Sequence, residues 1–227
     1  MKVLATQPKL VEQVHQAILS EISAGKLKPG ERIIQEQIAL GLGVSRQPVQ
    51  QALLLLRNKG VLCDAPGRGL IVASINLEQV SNMYDIRAVI EGLAFRRAAE
   101  RNAERAKKQG SALIQNGRKA VAGNSVAAMI AADLKFHDFI YGLSENPLIA
   151  PTMAAQWTFI QRVMGEVLMR DELPGVIWNQ HEAMLDAVMA GDGAAAEALA
   201  RQHVTQAAEV MISRLRSEAV AAASALA

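Results

Sequence analysis

A chain of 227 residues that is 51% hydrophobic and 20% charged is too apolar to remain disordered, and is long enough for one large domain or two modest ones. Aromatic residues are only 4% of the total, which favours helices over sheets. The single cysteine, Cys63, excludes an internal disulfide framework and a Cys-rich zinc site, and fits a reducing cytoplasm.

The N-terminal stretch from Met1 to Leu10 lacks an apolar signal core, and no apolar run reaches the roughly 18 residues of a membrane span, so a cytoplasmic protein without a membrane partner is expected. The formal net charge of +2 conceals an asymmetry: residues 1–75 hold nine basic side chains against five acidic ones, and the remainder holds 15 against 17. A small basic region joined to a larger, mildly acidic one points to nucleic acid at one end only.

In chain order, Leu10, Val11, Val14, Ile18, Leu19 and Ile22 recur at helical spacing and predict a first helix from about Lys9 to Ala24, ended by Gly25. Lys28-Pro29-Gly30 is a turn signal. A short second helix is expected over Gln35 to Leu42, stopped by Gly43, and a third is capped by Ser45, carries Pro48 in its first turn and runs to Gly60. Two short strands follow, Val61 to Ala65 and Leu70 to Ser74, joined at the tip Pro66-Gly67-Arg68-Gly69.

From Leu77 onward the pattern is helical, near 77–101, 103–122, 125–143, 148–170, 174–190 and 194–220. The predicted fold class is therefore mainly α: an N-terminal winged helix-turn-helix over residues 1–75, then an all-α antiparallel helical bundle over 76–227.

The second helix of a helix-turn-helix lies in the major groove and reaches base edges with its first residues. Here it begins Ser45-Arg46-Gln47-Pro48-Val49-Gln50-Gln51. Arginine pairs bidentately with guanine and glutamine with adenine. Ser45 is suited to a phosphate, and the wing tip Gly67-Arg68-Gly69 carries a cation on a thin loop that suits a minor groove or a phosphate. Ser45, Arg46, Gln47, Gln50, Arg68 and Gly69 are the candidate contacts to double-stranded DNA.

The run Gly41-Leu42-Gly43-Val44-Ser45-Arg46-Gln47-Pro48-Val49-Gln50-Gln51-Ala52-Leu53, with Leu56, Gly60-Val61-Leu62, Gly67-Arg68-Gly69 and the turn Leu27-Lys28-Pro29-Gly30-Glu31, resembles the GntR family of bacterial regulators. That resemblance implies a transcription regulator, not an enzyme, that binds a palindromic operator as a homodimer. Gln47 stands where the family usually has Thr, Gln50-Gln51 where it has Arg-Glu, and Glu36 where some members carry a DNA-contacting Arg. Fewer cations imply fewer neutralised phosphates and a shallower dependence on salt.

Three of the four histidines pass a geometric test. Asp133 and His137 are four residues apart and share a helix face. His181 lies 11 residues before Asp192, at the turn between the last two predicted helices, and His203 lies 11 after it. In an antiparallel hairpin both rings then stand at one height, roughly 16 Å from the turn. One carboxylate and three imidazoles suit a divalent transition metal: zinc first, then nickel, iron or manganese.

Asp133-Leu134-Lys135-Phe136-His137, Asn146-Pro147-Leu148, His181 and His203 further resemble the C-terminal (FCD-type) effector domain of the FadR subfamily. This implies that Asp133, His137, His181 and His203 are metal ligands, and that the domain responds to a small carboxylic acid. An arginine would clamp such an acid. Arg87, in an Arg-x-x-x-Glu pattern, and Arg162, among Trp157, Phe159 and Val163, are the effector-binding candidates, the alternative for Arg87 being an ion pair with Glu91.

Two other readings are a metal sensor, in which the ion is the signal, and a metal-dependent hydrolase or lyase. The latter lacks a placed base or nucleophile and leaves the winged region unexplained.

Overall fold

The computed structural model describes residues 8–168 and 174–224. Two compact units divide it: the described residues up to Ser74 together with Thr158–Glu166, and Ile75–Trp157 together with the described residues from Val167 onward. The division after Ser74 falls beside the expected boundary. The assignment of part of a late helix to the first unit had no signature in the sequence.

In the first unit α1 (Pro8–Ser23), α2 (Gln35–Leu42) and α3 (Arg46–Asn58) enclose an apolar core. Val14, Ile18, Leu19 and Ile22 of α1 and Val49, Ala52, Leu53 and Leu56 of α3 are buried in it, each set recurring at the helical period. Gly43 ends α2 in the left-handed conformation, φ 64°, and its N–H caps the helix carbonyls.

The hairpin strands are β2 (Leu62–Asp64) and β3 (Leu70–Val72). A third strand, β1 (Arg32–Ile33), was not anticipated; it pairs antiparallel with β3 to give the order β1-β3-β2. The first unit also contains residues 158–166 of α6 (Ile149–Leu168). There Lys59 donates to Thr158 Oγ1 at 2.8 Å and Ser23 Oγ to the Gln161 carbonyl at 3.3 Å. Gly165 meets the backbone of Ser23 so closely that a Cβ would overlap it.

The second unit is built on α4 (Leu77–Ala122), which packs against α5 (Val126–Leu143), α7 (Pro174–Met189) and α8 (Gly193–Ser224). Helix α4 runs for 46 residues where two helices were expected. The expected break survives as a kink at Asn102 (φ −137°, ψ 32°), whose side-chain amide donates to the Leu143 carbonyl at 2.7 Å. Asn76 caps α4, its side chain accepting from the N–H groups of Glu78 and Gln79. Gly117 lets α7 lie close to α4, because a Cβ there would overlap the Trp178 indole. No helix among the described residues is long and apolar enough to cross a membrane.

Candidate nucleic-acid interface and candidate metal centre

Helix α3 buries Pro48, Val49, Ala52, Leu53 and Leu56, and turns Arg46, Gln47, Gln50 and Gln51 outward. The face that the base-edge contacts require is therefore free within the first unit. Ser45 occupies the N-cap position with extended backbone, but its hydroxyl makes no capping bond. The residue at the third helical position is Pro48, which has no N–H to give. The expected cap is thus positional only, and the exposed hydroxyl remains available to a phosphate.

Arg46 is ion-paired with Glu36 at the start of α2, and Gln35 Nε2 donates to the Arg46 carbonyl at 2.7 Å. At the wing, Gly67 (φ 96°) and Gly69 (φ 92°) hold a conformation that side-chain-bearing residues rarely adopt, presenting exposed Arg68 between them. The Arg32 guanidinium of β1 donates to the Arg68 carbonyl and braces this tip. Arg32 was not singled out from the sequence, because the strand that carries it is only two residues long.

In the second unit Asp133 and His137 come from α5, His181 from α7 and His203 from α8, and all four are buried. The turn after α7 closes with Gly191 at φ 74° and with Ala195 N–H donating to Asp192 Oδ1 at 2.9 Å. The rings of His181 and His203 then meet, Nε2 to Nε2, at 3.3 Å. Asp133 Oδ1 stands 3.4 Å from His181 Nε2 and 3.9 Å from His137 Nε2. One ligand nitrogen from each imidazole lies within 4.8 Å of the others.

Ligand atoms ~2.0–2.1 Å from a tetrahedral zinc stand about 3.3 Å from one another. The His181–His203 and His181–Asp133 separations are at that spacing. Asp133 Oδ2 is buried without a hydrogen-bond partner. Such an orphan costs free energy unless something answers it. The donor set therefore fits a divalent transition metal.

The electrostatics keep His181 and His203 ready to ligate. Burial, then the neighbouring His203 and His137, hold the His181 imidazole well below its ordinary value. Burial, then His137 and Arg87, lower His203 to about 3. Both are thus neutral lone-pair donors. Burial raises the Asp133 carboxyl, opposed in part by His137 and Arg87.

Around the four donors lies a polar shell that was only partly anticipated. Burial would raise the Glu91 carboxyl, but Arg87 and His137 hold it well below the usual carboxylate range. Glu91 accepts from Arg87 Nε at 2.9 Å and from the Tyr141 hydroxyl at 2.6 Å, and its other oxygen lies 3.2 Å from His137 Nδ1. Arg87 is also 3.3 Å from His137 Nε2 through its Nη2, and its guanidinium lies over the rings of Trp157 and Tyr84. The ion-pair alternative for Arg87 is thus seen in the geometry, and the guanidinium also borders the donor cluster.

Arg162 is a different matter. Its guanidinium donates to the carbonyls of Val61 and Ala73 in the first unit, residues that face each other at the open end of the wing hairpin. Those bonds engage it in holding the wing hairpin. The aromatic neighbours that suggested a pocket are core residues: Trp157, Phe159 and Val163 are all buried.

An outward-facing recognition helix with a glycine-hinged wing, in a chain whose other unit is helical, defines a DNA-binding transcription regulator. Residues 10–72 match the bacterial regulatory proteins of the gntR family, and residues 82–206 match the FCD domain. The chain belongs to the FCD-containing regulators of the GntR family, and it is a regulator and not an enzyme.

It is 26% identical over 213 residues to the HTH-type transcriptional repressor RspR of Escherichia coli (strain K12), spanning 94% of this chain and 92% of that one. It is 30% identical over 135 residues to the uncharacterized regulator YdhC of Bacillus subtilis (strain 168), spanning 59% of this chain and 60% of that protein. Its fold is similar to that of E. coli McbR/YncC, with a TM-score of 0.76 at 22% identity over 93% of this chain and 99% of the other. A putative GntR regulator from Rhodococcus sp. RHA1 gives 0.73 at 21% identity over 90% and 98%.

Proposed function

We propose that this regulator binds a palindromic operator as a homodimer and senses a small carboxylic acid at a divalent-metal site held by Asp133, His137, His181 and His203. The observation that carries the reading is the meeting of His181, His203 and Asp133 at separations of 3.3 and 3.4 Å inside a buried cluster. When bound, the ion supplies positive charge and open positions for an oxygen anion. Arg87 then lies beside the site as a second anchor for a carboxylate. Exposed Ile86 and Val89 on α4 offer an apolar surface for a second copy.

A thermal-shift series of small carboxylates against zinc-loaded protein tests the reading. A true effector stabilises the protein by mass action and changes its retention of an operator duplex in a gel shift. His181→Ala removes a ligand, so the zinc-dependent stabilisation and the response to acid are expected to disappear together. Retention of both would overturn the site.

A metal sensor is favoured by one observation: Arg87 is already engaged by Glu91. On that reading zinc alone changes operator affinity and added acid does nothing more. Titrating zinc with and without the acids separates the two. Sedimentation of the free protein tests the dimer.

A further inference from the structure

The buried imidazoles differ in what holds the face turned away from the donor cluster. His137 has its Nδ1 3.2 Å from Glu91 Oε2, within ion-pair distance but without hydrogen-bond geometry. His181 stacks on Phe136, centroids 4.5 Å apart, and meets Trp178 edge-on; its Nδ1 has no partner. His203 has its Nδ1 2.7 Å from Gln180 Oε1. Gln180 is in turn oriented: its Nε2 donates to Gln206 Oε1 at 2.9 Å, across from α7 to the exposed face of α8.

An amide oxygen only accepts, so it selects the ring tautomer that carries the proton on Nδ1. The lone pair of His203 is then left on Nε2, the atom that faces His181. Neutral imidazole in free solution divides its proton between two nitrogens. A ring held in one form is prepared for a ligand before the ligand arrives.

We infer that Gln180 is a positioning residue: held by Gln206, it accepts the Nδ1 proton of His203 and so fixes Nε2 of that ring as a lone-pair donor toward the cluster of His137, His181 and Asp133. The inference rests on the metal reading for its consequence, ion affinity, but not for its direct signature, the tautomer. Gln180 touches neither the proposed ion nor an effector. Its neutral amide also differs from the Glu91 carboxylate that stands beside His137.

The experiment uses the full chain labelled with nitrogen-15 at its four histidines, freed of metal by a chelator, in the wild type, Gln180→Leu and Gln180→Glu. Long-range proton–nitrogen spectra read the tautomer, and competition against a chromophoric chelator reads zinc affinity. His203 is expected to be protonated at Nδ1 in the wild type. In Gln180→Leu its proton should redistribute, with zinc affinity falling by about 10–100-fold. Gln180→Glu keeps an acceptor, so it should retain the Nδ1–H form and tight binding.

A wild-type His203 protonated at Nε2 overturns the inference, as does a Gln180→Leu protein that matches the wild type in both readouts. If the wild type takes up no zinc, the metal reading falls and the tautomer alone decides the role of Gln180. If Gln180→Leu fails to fold, the wild-type spectrum and the Gln180→Glu comparison decide it.

Discussion

The Arg–Glu pair at the start of the candidate recognition helix and the one beside the donor cluster live in opposite surroundings. Arg46 and Glu36, on the DNA-reading face, have side chains 69% and 73% exposed. Arg87 and Glu91, one turn apart on α4, are 3% and 0% exposed. An ion pair in water contributes little, because solvent and salt already answer each charge. A buried pair has surrendered that solvation, so removing one partner strands the other. The first pair is therefore a reversible restraint on a candidate DNA-contacting residue, and the second is part of the fold of the candidate sensing site.

The sharpest way to break this contrast is to truncate the acid in each pair. Glu91→Ala leaves the Arg87 guanidinium buried against Trp157 and Tyr84 without its counter-ion. A loss of about 3–5 kcal/mol is expected in urea unfolding. Glu36→Ala should move the same measurement by less than about 0.5 kcal/mol. Equal losses in the two variants would mean that burial does not separate the pairs.

Arg162 supplies an intermediate case within the first unit. It is fully buried; its guanidinium donates to two backbone carbonyls, and the charge of Glu166 one turn on opposes the cost of burying it. Arg162→Met keeps a flexible apolar stem while depriving the Ala73 carbonyl of a donor; Val61 still receives the Ala73 N–H at 3.0 Å. The expected cost is about 1–3 kcal/mol, seen as a lower unfolding midpoint. The variant should leave any acid-induced thermal shift in place, because these bonds tie Arg162 to the wing.

What was legible in the sequence divides along physical lines. Periodicity and punctuation are local, so α2 was expected at Gln35 to Leu42 and is found there, and the break near Asn102 survives as a kink. The counting argument about Asp192 placed His181 and His203 at one height because a helical hairpin is nearly a ruler. Strand β1 was missed because two residues cannot show an alternating pattern.

The wing contacts of Arg162 were missed because the segment Thr158–Glu166 belongs with residues more than 80 positions earlier, as in the Arg162–Ala73 bond. No local signal reports that. Gln180 escaped notice for a related reason. Its neighbour in sequence is His181, but its side chain bonds to His203, which only the pairing of α7 with α8 reveals.

For the exposed pair the informative measurement is DNA binding. Arg46→Ala should lower operator affinity by about 1–3 kcal/mol, the worth of one bidentate base contact, with thermal stability unchanged. A gel shift at fixed salt checks the first part and a melting curve the second. Loss of affinity together with loss of stability would make Arg46 a structural residue of the α2–α3 corner and erase the distinction from Arg87.

The smallest expected effect discriminates most finely. Glu36→Gln keeps the size of the side chain and removes the charge that holds Arg46. If Glu36 is only a competitor for Arg46, its neutralisation frees the guanidinium for DNA and removes a repelled anion from the face. Affinity should then rise severalfold, and the salt slope should steepen by up to about one counterion if Arg46 takes a phosphate. If Glu36 instead aims Arg46 at a base edge, affinity for the operator should fall while affinity for unrelated duplex rises. The ratio of specific to non-specific binding across a salt series separates the two. Either result keeps the exposed pair a functional restraint. No change in that ratio or in the slope would make it an ordinary surface pair that happens to lie on the recognition face.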